Sequence, residues 1–193
     1  MASKVTYKLN LLDAFDRAYS GESIEVRSQL KTLVSDPGVK ESIGREVIRK
    51  IAENTQDNKD KNGKSMGRYS KAYINSTIFK IFKSGQTRVN LTLTGEMLSS
   101  MQSSYRPSGY NILFDFVDKL NNDKAHGQIF KNNYNFFGLP KEDEENIVRT
   151  IINDAADSGL LEFIDLLTGT TTLDATIGDQ VLSLDIGDFN DDQ

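Results

Sequence analysis

Asp36-Pro37 marks the start of a helix more firmly than any other pair in this chain. An aspartate at the N-cap accepts a hydrogen bond from the free N–H groups of the first turn, and a proline at the first helical position has its φ already set. Behind it, Val39, Ile43, Val47, Ile48 and Ile51 recur at helical spacing. The pattern predicts a helix over about residues 37–54 whose apolar stripe needs a second layer to cover it. Gly44 lies inside that helix, at a cost of about 1 kcal/mol relative to alanine. It is either tolerated there or needed for close packing.

Other helices are expected around this one. Residues 22–35 place Ile24, Val26, Leu30, Leu33 and Val34 roughly on one side. Glu142 to Glu145 suit the first turn of a helix, where carboxylates complement the dipole. Ile147, Val148, Ile151, Ile152 and Ala155 continue that helix toward Gly159. Leu160, Phe163, Ile164 and Leu167 read as one more short helix. Residues 1–21 are an apolar and polar mix from Leu9 to Tyr19 that ends at Gly21.

Extended segments are expected at Ile78–Phe82 and Val89–Leu93. The strongest strand pattern alternates Tyr110, Ile112, Phe114 and Phe116 with Asn111, Leu113 and Asp115, after a turn at Pro107-Ser108-Gly109. Thr94 is placed to cap a short helix with Met97, Leu98 and Met101 on one face. Thr55 to Lys71 is polar and reads as a long loop.

Charge is unevenly placed. Residues 45–90 hold 11 Lys/Arg against 4 Asp/Glu, and residues 141–193 hold 2 against 14. Such zones can pair within a chain, pair across subunits, or simply be solvated. With no cysteine there are no disulfides, no thiolate nucleophile and no cysteine-based zinc site. That fits a reducing compartment or a particle assembled in one. No apolar run approaches the length of a membrane span, and Met1 to Lys8 lacks the hydrophobic stretch of a secretion signal. Thr170 to Gln193 is rich in threonine and aspartate. Its Leu182, Leu184 and Ile186 favour an arm that orders on a partner over a disordered tail.

Motifs for chemistry fall short. Gly63-Lys64-Ser65 resembles the end of a phosphate-binding loop, but position 58, where that loop needs its first glycine, is Asn. Asn58, Asp60, Asn62 and Gly63 match the front of a calcium loop, but Tyr69 stands where the bidentate acid belongs. His126 is the only histidine and has no partner type for a metal site. There is no nucleophile elbow and no zinc-protease helix motif. The expectation is a protein that is not an enzyme and takes no cofactor or metal. The basic loop is the candidate interaction site: Lys59, Lys61, Lys64, Arg68 and Lys71 supply charge, and Tyr69 and Tyr73 supply rings for a partner surface or for stacking on bases.

The order of signals carries a resemblance. The Asp60–Tyr73 loop ends in Tyr69-Ser70-Lys71-Ala72-Tyr73. Leu91-Thr-Leu-Thr-Gly-Glu-Met-Leu-Ser-Ser100 follows, then an expected turn at Ala125-His126-Gly127, then Phe136-Phe137-Gly138-Leu139. Across about residues 37–155 this resembles the tailed-bacteriophage virion-morphogenesis proteins, the head–tail joining or tail-completion (neck) family. Members of that family commonly have Arg and Pro before the aromatic pair, where this chain has Asn133-Tyr134-Asn135.

The resemblance implies a small α+β subunit with helices packed on an antiparallel sheet. Together with the chain's own pattern, the expected fold is α+β, with N-terminal helices and a C-terminal helix packed on a small antiparallel sheet, a long basic loop and an acidic C-terminal arm. The expected division is an N-terminal extension with a short helix (1–36), a neck or tail-completion core (37–158) and the acidic arm (159–193), for which the family offers no counterpart. The resemblance implies a homo-oligomeric ring in the virion, assembled in the host cytoplasm, at the neck or head-proximal tail end. The ring's partners would be neighbouring neck, adaptor or tail-tube and sheath proteins, with DNA passing through the lumen and no membrane involved. The alternative is a nucleic-acid-binding accessory protein that uses the basic 45–90 segment. Under the assembly reading, residues 57–71 are expected to be removable without unfolding the subunit.

Overall fold

The computed structural model of the chain describes residues 3–83, 85–91 and 95–159. Several helices pack with one three-stranded antiparallel sheet, giving an α+β fold. The expected helix at Leu160–Leu167, the arm beyond Gly159 and the cap at Thr94 lie outside the described residues.

Strand β1 (Tyr7–Asn10) runs directly into helix α1 (Leu11–Ala18). Asn10 ends the strand and caps the helix, its Oδ1 accepting from the backbone N–H groups of Leu12 and Asp13. Helix α2 (Ile24–Leu33) is capped by Ser23, and only Leu33 is buried on it. Ile24 is 83% exposed, so the apolar face expected over 22–35 reaches the core only at its end, through Leu33 and Val34.

Helix α3 (Pro37–Gln56) starts at the Asp36 cap, whose Oδ1 accepts from Val39 N at 2.9 Å. It buries Val39, Ile43, Val47 and Ile51, four of the five residues that the spacing selected, and leaves Ile48 half-buried. Three short helices follow: α4 (Lys71–Ile74), α5 (Thr77–Phe82) and α6 (Glu96–Ser99). Strands β2 (Met101–Tyr105) and β3 (Asn111–Phe116) complete the sheet in the order β1-β3-β2. Helix α7 (Lys119–His126) continues into a π-helical turn, Gly127–Lys131, and α8 (Lys141–Asp157) closes the described chain.

Four expectations need correction. Ile78–Phe82 is helical, not extended. Ser70 and Ser76 each cap a helix start, and burial of Phe79 overrides the β preference of the isoleucines. Of the segment expected to be extended over Val89–Leu93, the described residues 89–91 form no strand and the rest lies outside the described residues; the nearest pairing is one isolated bridge, Arg68 to Arg88. Leu91 then turns the backbone to φ 49°. Met101 opens β2 and does not lie on the face of the short helix, which Gly95 caps at φ 76°. His126-Gly127 is no turn: Gly127 keeps right-handed helical angles and the helix widens into the π-helical turn.

The sheet's inner face pairs Tyr7 with Phe114, Leu9 with Ile112, Met101 with Phe116 and Ser103 with Phe114. Its other face carries Lys8, Leu113, Gln102 and Asp115, and Gln102 donates to Asp115 at 2.7 Å. Helix α3 lies against the inner face. A Cβ built on Gly44 would sit 2.6 Å from Ser103 Oγ and 3.1 Å from Ser103 Cβ. Close packing is therefore what this glycine provides.

Helix α8 covers the other side of the core and meets both α1 and α3. Arg17 of α1 donates to Glu144 and Glu145 near the start of α8, each at 2.7 Å. The Tyr7 hydroxyl donates to Glu144 at 2.5 Å. Burial, then the hydrogen bond to Glu144 and its charge, pushes the Tyr7 phenol far above its ordinary range. The paired acids at 144 and 145 thus hold the N-terminal strand and helix in place. Further along, the Tyr19 hydroxyl donates to Asn153 at 2.7 Å, and burial raises its pKa to about 12.

Two outcomes follow from this packing. Gly44→Ala is expected to lower stability by about 1–2 kcal/mol, because crowding of Ser103 outweighs the helix-propensity gain. Adding Ser103→Gly should restore part of that loss in a denaturant titration. Tyr19 keeps its proton in the folded state and loses it near pH 10 when unfolded. Its contribution is therefore complete below pH 10 and is lost between pH 10 and about 12 as pH rises. Tyr19→Phe should flatten the stability curve in that window.

Candidate interaction site

The basic loop begins where α3 ends. Asn58 sits at φ 65°, a left-handed position that asparagine tolerates better than most residues. The N–H of Asn58 bonds Thr55 O and the N–H of Lys59 bonds Asn54 O, the double closure of a Schellman motif. The Asn58 side chain is buried and donates to Ser65 Oγ at 2.7 Å, pinning the far side of the loop.

Asp60 shapes the tip. Its Oδ1 accepts from the N–H groups of Asn62 at 2.9 Å and Lys64 at 2.8 Å, and its own N–H bonds Lys64 O at 2.7 Å. The calcium-like spacing therefore serves a turn closed by its own backbone. Among the described residues no three His, Asp or Glu side chains come together as a metal site. Lys61 N bonds Asn135 O, Met66 N bonds Asn58 O, Tyr69 N bonds Thr87 O and Val89 N bonds Gly67 O. Residues 57–71 are thus bonded into the fold. Removing them would strip these partners, which corrects the expectation that the segment is dispensable for folding.

The two tyrosines point inward together. Tyr69, Tyr73 and Phe79 form a cluster with ring centroids 5.0, 5.8 and 5.3 Å apart. The Tyr69 hydroxyl accepts from Lys83 Nζ at 3.0 Å and from the backbone N–H groups of Asn90 at 3.2 Å and Leu91 at 3.1 Å. The Lys83 ammonium lies 5.1 Å from the centre of the Tyr69 ring. Burial also raises the phenols of Tyr73 and Tyr134. These rings border a cleft of about 520 Å³ that Leu91, Met97, Gln128 and Tyr134 also line.

The cations face outward. Lys59, Lys61, Lys64, Arg68 and Lys71 are all exposed. Lys59 has a loose contact with Asp57 at 3.7 Å. Arg68 and Arg88 face each other across the isolated bridge, and among the described residues neither is paired with a carboxylate. Not all of the positive charge of 45–90 is available. Arg49 is held by Glu46 and Glu53, Lys50 lies 3.9 Å from Asp143, and Lys83 is buried.

Sequence reasoning gathered the loop cations but missed Arg88, which only the fold brings opposite Arg68. It also missed Lys83, which has the composition of a surface residue and the role of an internal strut. His126 packs on Phe130, with ring centroids 4.4 Å apart.

Comparisons with protein-family profiles, with curated proteins and with solved structures return no match.

Tyr69→Phe removes the acceptor shared by Lys83, Asn90 and Leu91 while keeping the ring. It is expected to cost about 1–3 kcal/mol in a denaturant titration, because a buried ammonium loses a partner. A change near zero would show that the hydroxyl does not hold the loop.

Proposed function

We propose that this chain is a structural subunit of a tailed-phage virion. Its role is to form a ring at the neck or the head-proximal tail end, either as an adaptor or as a tail terminator, and so join head to tail. The observation that carries the reading is convergence. Two of the separate sequence motifs behind the family resemblance meet around one cleft, beside residues that neighbour the other two. Tyr69, Ser70 and Tyr73 come from the first, and Leu91, Gly95, Glu96 and Met97 from the second. Lys124 and Gln128 flank the Ala125-His126-Gly127 segment, and Tyr134 precedes the aromatic close.

The shape of the loop supports the same reading. A surface segment whose backbone is bonded inward and whose cations point outward is pre-organised for a partner, which lowers the ordering cost of binding. Exposed charges of this kind set register and partner choice more than raw affinity. The reading assigns the chain no bond-making step and no cofactor.

The second reading, a nucleic-acid-binding accessory protein, is favoured by one observation: the unpaired Arg68 and Arg88 lie side by side with Lys59. Base stacking by Tyr69 fits it less well, since that ring already packs on Tyr73, Phe79 and Lys83.

Quantitative mass spectrometry of purified particles, with labelled electron microscopy, tests the proposal. The expected result is a fixed multi-copy stoichiometry and label at the head–tail junction. Charge reversal at Lys61 and Lys64 should leave separate heads and tails with a folded subunit. Presence in infected cells without any incorporation into particles would contradict the reading.

A further inference from the structure

Lys59, Arg68 and Arg88 share a groove built by two strips of chain. One wall is Asp57–Lys59 with Gly63–Arg68, and the other is Gly85–Arg88. The groove comprises two adjoining clefts of about 510 and 650 Å³ that share Asp57, Asn58, Lys59 and Arg88. Three cations converge there against a single carboxylate, Asp57, itself exposed and in loose contact with Lys59.

One feature of this groove is costly as it stands. Like charges directly opposite each other in a strand pair repel, and the Arg68–Arg88 bridge places two guanidinium-bearing residues in that relation. The bridge costs less when an anionic chain lies along the groove, because each guanidinium can then bind a carboxylate in a two-pronged hydrogen-bonded pair.

The same polypeptide contains such an anionic chain. Residues 160–193 carry eight Asp/Glu and no Lys or Arg, with Asp185, Asp188, Asp191 and Asp192 close together at the end. A segment of that length can span on the order of 100 Å when extended. Nucleic acid is the weaker occupant, because the nearest ring, Tyr69, is engaged internally and its hydroxyl is shared by three donors.

We infer that the Lys59–Arg68–Arg88 groove is the receptor for the acidic segment 160–193 of a second copy of this chain. The inference rests on the ring reading above and names the contact that would build the ring. Each copy offers an acidic segment at one place and a basic groove at another. That makes the contact heterologous, the kind that propagates head to tail and closes into a ring.

The test uses two full-length variants followed by analytical ultracentrifugation at low and high salt. One reverses the groove (Arg68→Glu with Arg88→Glu). The other neutralises the segment (Asp185→Asn, Asp188→Asn, Asp191→Asn and Asp192→Asn). All of these side chains lie on the surface or outside the described fold, and circular dichroism checks that each variant is folded. The wild-type chain is expected to self-associate in a salt-sensitive way, and each variant alone to do so at least about tenfold more weakly. Mixing the variants should give a heterodimer, since one supplies the segment and the other the groove.

Wild-type association by both variants would overturn the inference. So would a mixture without heterodimer, which would mean that the segment folds back on its own groove or goes elsewhere. Duplex DNA binding that the groove variant loses, with self-association unchanged, would assign the groove to nucleic acid. If both variants still form wild-type rings, only this contact fails and the ring reading survives. Absence of the chain from particles defeats that reading whatever the groove binds.

Discussion

The sheet can lie directly on α3 because residue 44 has no side chain. That approach sets the distance between the two main layers of the fold, and several other features depend on it. With β2 and β3 close against one side of α3, Ile43, Val47 and Ile51 can fill the space between sheet and helix. The other side is left free for α8. The C-terminal end of α3 then emerges at a fixed height above the sheet, and the basic loop starts there. A larger residue at position 44 would push the sheet away and move the base of the loop with it.

The loop is an extension of that framework. Its backbone hydrogen-bonds within itself, Met66 to Asn58 and Asp60 to Lys64, and to the rest of the protein, Lys61 to Asn135 and Tyr69 to Thr87. Its two tyrosines turn in to meet Phe79 and Lys83. What remains for solvent is charge. Three acids near the start of α8 are already committed, Glu144 and Glu145 to Arg17 and Asp143 to Asn54 and Lys50, while Glu142 is exposed. The loop and Arg88 carry exposed cations that, among the described residues, pair with no carboxylate beyond the loose Lys59–Asp57 contact. Eight of the chain's 28 Asp/Glu lie beyond Gly159 in the sequence, where there is no Lys or Arg.

How much of this could be read in advance varied with how local its cause is. The Asp36-Pro37 start, the stripe from Val39 to Ile51 and the alternation from Ile112 to Phe116 are near-neighbour patterns, and each gave the element it implied. The strand at Tyr7–Asn10 was missed because four residues are too few to show alternation. The strand at Met101–Tyr105 was missed because Gln102, Ser103 and Ser104 do not look apolar. Ser103 is there because Gly44 leaves room for nothing larger. Ile78–Phe82 misled because its isoleucines favour strands, while the serine at 76 and the burial of Phe79 decide for helix. In the candidate site the exposed lysines were legible as a charged run. Arg88 and Lys83 were not, since only the folded chain brings one opposite Arg68 and the other beneath Tyr69.

The central claim is that the basic loop is a pre-shaped surface, held by bonds to the framework before any partner arrives. Native-state hydrogen exchange on the isolated subunit tests this most directly. The amides of Lys61, Met66 and Tyr69, which bond across the loop's base, should be protected well above random-coil rates, alongside freely exchanging neighbours at exposed positions. Exchange of all three at the random-coil rate in a folded subunit would contradict the account, because the loop would then take shape only on binding.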